Sequence, residues 1–109
     1  MIFKCVDDFY AYASMIKPLS REQERALALA MREGNTQARE AIIRGYMPFI
    51  SAKMKGLSKQ ESSLELLYRM ISKLEELVDK FDFLQEGETF IHRLSMALRH
   101  TVVEYIADK

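Results

Sequence analysis

The sequence contains little that would interrupt or cross-link a chain: it has one cysteine, two prolines and four glycines. Because Cys5 is the only cysteine, an internal disulfide and a cysteine-based zinc cluster are excluded. We expect neither a helix start nor a basic side chain beside Cys5 that would activate its thiol. The scarcity of proline and glycine favours long runs of regular structure. No apolar run approaches the roughly 18 residues of a membrane span, and no secretion signal is evident. We therefore expect a soluble, cytoplasmic protein with no membrane partner.

The chain also lacks an overall charge of either sign, since 16 basic and 16 acidic residues cancel. The charges are nevertheless segregated along the chain. Residues 39–59 carry five cations and one acid, whereas residues 61–88 carry eight acids and three cations. The first segment suits contact with nucleic acid and the second suits a basic protein surface, although two solvated helix faces would give the same pattern.

Catalytic and metal-binding signatures are missing as well. The sequence has neither a glycine-rich phosphate loop nor a nucleophile elbow. Its two histidines, His92 and His100, are eight residues apart on one predicted helix, about 12 Å by helical rise, which is too far to share a metal ion. The adjacent carboxylates of Glu75 and Glu76 point about 100° apart on a helix and do not form an acid–base pair. We expect no enzyme activity, no catalytic residue, no cofactor and no metal.

Helical periodicity runs through almost the whole sequence, and strand-like alternation persists nowhere. A first helix is expected over about 6–16, because Pro18 and the residue before it resist helical geometry. Ser20 and Gln23 have capping-box spacing at the start of a second helix. Gly34 suits the left-handed position that ends that helix.

The remaining helices follow from similar signals. Asn35 is expected to cap a third helix, Gly45 and Pro48 to break the chain, and Gly56 to end a fourth helix. After a polar loop, apolar residues recur every three to four positions from Leu67 to Phe81 and predict a long central helix.

A connection over 82–88 leads to Thr89, which can cap a last helix over 90–107. The predicted fold class is therefore all-α, a compact bundle of about five to six helices forming a single domain over 1–109.

Two segments carry a more specific signal. Residues 18–24 read P-L-S-R-E-Q-E, followed by M-R-E-G-N at 31–35 and A-R-E-A-I-I at 38–43. Residues 78–82 read V-D-K-F-D, and residues 106–108 read I-A-D. In this order the motifs resemble the N-terminal part, regions 1.2 to 2, of bacterial RNA polymerase sigma factors of the sigma-70 family, as a divergent member. The resemblance covers most of the chain.

The resemblance implies a sigma-70 region 2-like domain that binds core RNA polymerase and captures the unwound, single-stranded minus-ten region of promoter DNA. It also implies an anti-sigma or other regulatory protein as a possible partner. In such a domain, aromatic and cationic side chains on one helix stack on splayed bases and hold phosphates. The DNA-binding positions implied here are Arg93, Met96, Ala97, Arg99 and His100.

The last helix departs from the family pattern at its DNA side. The family places a tyrosine and a pair of tryptophans where this chain has Arg93, Met96 and Ala97. Arg99 keeps its family identity, and with Arg93 and His100 it could contact phosphates. Arg99 could equally form a structural ion pair with the acidic central helix.

The polymerase-binding residues implied by the resemblance are Glu65, Tyr68 and Arg69. Tyr68 and Arg69 replace a neutral–acidic pair of the family, so the charge offered to the polymerase is reversed. Two functions stay open. One is a transcription initiation domain with weak, salt-sensitive DNA binding. The other is a non-enzymatic regulatory or protein-interaction module that keeps the scaffold but no longer melts promoters, with Met96, Ala97 and Tyr105 as its exposed partner surface.

Overall fold

The computed structural model describes residues 2–108, and the domain expected over 1–109 extends one residue beyond this range at each end. The described residues form six α-helices and no strand, which confirms the expected all-α bundle. The helices are α1 (Val6–Ser14), α2 (Arg21–Arg32), α3 (Thr36–Gly45), α4 (Met47–Lys55), α5 (Leu64–Lys80) and α6 (Phe90–Ala107).

The helix starts follow the predicted caps. The Ser20 backbone N–H donates to Gln23 Oε1 at 2.9 Å, and the Gln23 N–H donates to Ser20 Oγ at 3.1 Å, which completes the capping box of α2. The Thr89 side chain accepts from the backbone N–H of His92 at 3.3 Å at the start of α6. Gly34 ends α2 with a φ of +93°, a left-handed conformation that glycine adopts without strain. The sequence therefore locates the helix ends through contacts within four residues.

Two details at the N-terminal end differ from expectation. α1 ends at Ser14 rather than near residue 16, because the N–H groups of Met15 and Ile16 turn back to carbonyls three residues earlier and close the helix. Cys5 occupies the N-cap position of α1, so a helix start does adjoin this exposed thiol, contrary to the sequence prediction.

The junction between α3 and α4 depends on glycine for space. A Cβ added at Gly45 would lie 2.6 Å from Leu19 Cγ, so the segment before α2 can approach α3 this closely only at a glycine. Pro48 lies in the first turn of α4, as predicted, where its missing N–H has no helical partner to lose. The break therefore lets α4 change direction while Leu19 packs against the core.

The core is built around α5, which packs against α3, α4 and α6. Its inner face recurs every three to four residues, and apolar side chains of α1, α3, α4 and α6 close around it. The buried α5 residues are Leu66, Leu67, Met70, Ile71, Leu74 and Val78. This packing fixes the rotation of α5 and α6, and so decides which of their residues face outward.

Candidate interaction faces of the last two helices

One side of α6 is buried against the bundle. Phe90, Leu94, Leu98, Thr101 and Tyr105 are its buried residues, and their spacing of three to four residues defines a single inner face. The opposite side of the helix is therefore left to solvent along its whole length.

The outward side of α6 carries a regular line of residues. His92, Met96, Arg99, Val103 and Ile106 recur at alternating intervals of four and three, the spacing of a helix-pairing seam. We call these five residues the α6 seam. All five are exposed, and the apolar members Met96, Val103 and Ile106 are 57%, 59% and 44% exposed. Val103 and Ile106 were not among the sequence-predicted site residues, although their spacing from Met96 could have revealed them.

The other predicted DNA-binding residues lie on a flank of the seam. Arg93 is exposed but binds Glu88 in a two-point ion pair, with Nε 2.9 Å from Oε1 and Nη2 2.7 Å from Oε2. This contact lowers the pKa of Glu88 and raises the pKa of Arg93. His100 pairs with Glu104, and Ala97 is only partly exposed. The flank is therefore less cationic than the sequence alone suggests.

Two expectations for α6 are wrong. Tyr105 does not belong to an exposed partner surface, because it is 3% exposed and its hydroxyl lies 2.7 Å from Ser63 Oγ. Arg99 does not form an ion pair with any acidic residue of α5, since it points outward on the seam. The acids Glu76 and Asp79 of α5 are instead held by other cations.

The implied polymerase-binding residues lie together on α5, but all three are engaged within the chain. Arg69 Nη2 lies 3.3 Å from Glu65 Oε1, and Arg69 Nη1 lies 3.4 Å from Asp108 Oδ2. The Arg69 guanidinium also lies over the Tyr105 ring, 5.2 Å from its centroid. Arg69 thus ties α5 to the end of α6 rather than projecting freely.

Tyr68 is anchored to the segment before α1. Its hydroxyl accepts a hydrogen bond from the backbone N–H of Phe3 at 2.8 Å. The same face of α5 borders a shallow cavity of about 530 Å³ between α5 and α6, with Glu65, Arg69 and Glu104 in its lining. A partner that approaches this face meets charges of both signs.

The two motif-bearing segments meet in space. Arg39, in A-R-E-A-I-I, binds Asp79, in V-D-K-F-D, with Nε 2.6 Å from Oδ1 and Nη2 3.0 Å from Oδ2. Arg39 also contacts Glu40 at 2.9 Å. Next to this contact, Arg32 lies 3.4 Å from Asp82. These residues join α3 and the end of α2 to the end of α5.

A second cavity, of about 1020 Å³, lies between the start of α2, the α3–α4 junction and the α5–α6 connection. Its aromatic wall includes Phe83 and Phe90, which stack with centroids 4.7 Å apart, and Tyr46, whose hydroxyl donates to Glu24. Burial, together with that carboxylate, raises the pKa of Tyr46. The rim carries two arginines and four glutamates, so the charge of this groove is mixed.

Within residues 2–108, no three histidine, cysteine or acidic side chains converge in a way that could hold a metal ion. None of the helices in that range is long and apolar enough to cross a bilayer. Comparisons with protein-family models, with curated proteins and with solved structures give no match.

Proposed function

We propose that the chain is a non-enzymatic, sigma-factor-like domain that acts in the cytoplasm. It binds core RNA polymerase through the α5 face and holds single-stranded minus-ten DNA weakly through the outward side of α6. The observation that carries the proposal is the two-point ion pair between Arg39 and Asp79. It joins the two motifs that resemble the sigma-70 family, although 40 residues separate them in sequence. Motifs that are coupled in this way behave as parts of one scaffold.

The α5 face supplies the polymerase contact in this proposal. Arg69 offers a cation where the family has an acid, so the expected affinity is low. The positive charge of Arg69 is partly neutralised, because carboxylate oxygens of Glu65 and Asp108 both lie within 3.4 Å of its guanidinium nitrogens. Reversing the charge at this position should therefore strengthen binding, since opposite charges across an interface favour association.

The test measures binding of purified core RNA polymerase to the immobilised chain. Affinity should rise from the parent chain to Arg69→Gln and again to Arg69→Glu. Arg32→Glu, which also breaks an exposed ion pair but away from this face, is the matched control and should bind as the parent does. Thermal melting checks that each variant is folded. Absence of binding by all four chains would refute the polymerase contact.

The DNA contact is tested separately with a fluorescent single-stranded oligonucleotide that contains a minus-ten sequence. Binding should weaken in Arg99→Ala and stay unchanged in Lys59→Ala, an exposed cation of the α4–α5 loop. For single strands, log K falls with log salt by about 0.7 for each phosphate contact, so loss of Arg99 should reduce the slope by about that amount. An equal loss of oligonucleotide binding in both variants would indicate nonspecific electrostatic attraction between the chain and DNA.

A second candidate function is a protein-interaction module on the same scaffold. The observation that favours it is the exposure of Met96, Val103 and Ile106 on a helix that exposes no tyrosine or phenylalanine ring for base stacking. In this case the polymerase and oligonucleotide experiments would both fail, and mutations in the α6 seam would affect binding to a protein.

A further inference from the structure

The α6 seam has no described part of the chain packed on it. Its apolar members lie within three turns of the helix, and the inner side of the same helix is fully used by the core. Exposed apolar residues in a heptad-like line are characteristic of helices that pair with another helix. The α6 seam therefore suits a partner helix that presents a complementary line of residues.

Two pairs of residues on α6 match when the helix is reversed against a copy of itself, and Arg99, close to their midpoint, then lies near the partner's Arg99. Met96 and Val103 are seven residues apart and lie on one line along the helix, within about 20°. Arg93 and Glu104 are eleven residues apart and lie on a neighbouring line, again within about 20°. The midpoints of the two pairs differ by one residue, about 1.5 Å along the axis. One two-fold axis can therefore serve both pairs.

We propose that two copies of this chain associate through antiparallel pairing of their α6 helices. Met96 of one copy packs against the partner's Val103, and Arg93 lies opposite the partner's Glu104. Each contact occurs twice, as in any two-fold interface that is built from the same patch on both copies. The proposal does not depend on the polymerase or DNA contacts proposed above.

The charged groups have the capacity to make this contact. Arg93 uses only Nε and Nη2 for Glu88, so its Nη1 group has no hydrogen-bond partner within the described chain. Glu104 uses Oε1 for His100 and leaves Oε2 unused by any described residue. Arginine presents five N–H donors in a planar fork and can bridge two carboxylates at once. The existing pairs can therefore persist when the second copy binds.

A second copy suits this surface better than a nucleic acid does. No tyrosine or phenylalanine ring is exposed among the described residues of α6, so bases would have only the imidazoles of His92 and His100 to stack on. Glu88 and Glu104 lie beside Arg93 and His100 on the flank and reduce the attraction of these basic side chains for phosphates. Because the pairing would cover Met96 and Arg99, a chain engaged with its copy could not present that face to DNA.

The first experiment is sedimentation velocity of the full chain over a concentration series. The mass should move from 12.7 kDa toward twice that value as concentration rises. Val103→Glu should raise the apparent dissociation constant at least about tenfold, which corresponds to about 1.4 kcal/mol. Leu29→Glu, which alters an exposed apolar residue on α2, is the control and should associate as the parent does.

The second experiment uses charge reversal. Arg93→Glu and Glu104→Arg should each weaken self-association, because each places like charges opposite one another. A mixture of the two single variants should recover it, since both contacts between unlike variants again join opposite charges. Circular dichroism and thermal melting establish that both variants are folded.

These experiments distinguish a second copy of the chain from a nucleic acid as the partner of the α6 seam. A parent chain that stays at 12.7 kDa throughout the series overturns the proposal, and so does failure of the mixture to recover association. If the parent chain stays monomeric but binds an oligonucleotide, and Arg99→Ala loses that binding, the α6 seam binds nucleic acid and the proposal is overturned. Self-association that persists in Val103→Glu places the interface elsewhere and likewise overturns the proposal.

Discussion

The ion pair between Arg39 and Asp79 offers the sharpest test of how the scaffold is held together. The perturbation is a double-mutant cycle with Arg39→Gln, Asp79→Asn and the double variant. Asp79→Asn keeps the side-chain size, Arg39→Gln shortens the side chain but keeps its three carbons nearest the backbone, and each substitution removes one charge. The cycle therefore isolates the coupling between the two side chains from their separate contacts, of which the pair between Arg39 and Glu40 is one.

The expected coupling follows from the geometry and exposure of the pair. Arg39 and Asp79 are 28% and 51% exposed, so solvent screens their attraction. Exposed pairs usually contribute about 0.2–1 kcal/mol, and two-point arginine–carboxylate contacts lie at the upper end of that range. We expect a coupling of about 1 kcal/mol. Loss of that amount should lower the Tm by about 4 °C in a chain of this size.

The coupling should also depend on pH in a defined direction. The Arg39 contact lowers the pKa of Asp79 below its ordinary value of 3.8. Because the folded pKa is the lower one, the stabilisation is complete above the ordinary value and is lost as pH falls through the lowered pKa. The coupling measured near pH 7 should therefore disappear in acid, as Asp79 becomes protonated.

Urea unfolding followed by circular dichroism measures the four free energies of unfolding. A parallel cycle on Lys80 and Glu76, a one-point contact at 3.0 Å within α5, is the control and should give a smaller coupling. A coupling below about 0.3 kcal/mol at Arg39 and Asp79 would refute the proposed role of their ion pair, since that is the expected error of additivity. Equal couplings in both cycles would show that the two-point geometry adds nothing.

Three further changes test the packing. Leu74→Ala should cost about 2–5 kcal/mol of unfolding free energy, while Leu29→Ala, at a position 48% exposed, should stay within about 0.5 kcal/mol, both by urea unfolding. Gly45→Ala should lower the free energy of unfolding by about 1–3 kcal/mol, because the new Cβ would clash with Leu19. A Tm equal to that of the parent chain would contradict this prediction. Ser63→Ala removes the cap of α5 together with the hydrogen bond to Tyr105 and should lower the free energy of unfolding by about 0.5–2 kcal/mol in thermal melts, whereas a parent-like melt would show that both contacts are dispensable.

The sequence by itself determined where most of the helices begin and end, the end of α1 at Ser14 being an exception. The capping box of Ser20 and Gln23, the left-handed Gly34 and the cap at Thr89 all act between residues at most four apart. Such contacts are readable in sequence because helix geometry fixes which neighbours meet. The same local spacing could have indicated the α6 seam, of which only Met96 and Arg99 were predicted as site residues.

Only the tertiary structure decided which way each helix faces. Tyr105 and Ile106 are adjacent and both apolar, yet about 100° of helical rotation places one in the core and the other in solvent. Local spacing does not resolve this choice, because the rotation of α6 is set by packing against α5.

The partners of the charged and polar site residues were likewise decided by the fold. Arg39 meets Asp79 across 40 residues, and Tyr68 meets the backbone of Phe3 across 65. The sequence showed these groups as available for outside partners, since it contains no measure of distance between remote segments. The fold brings those segments together, because burying the apolar faces of α3 and α5 stabilises the chain more than leaving them in water does.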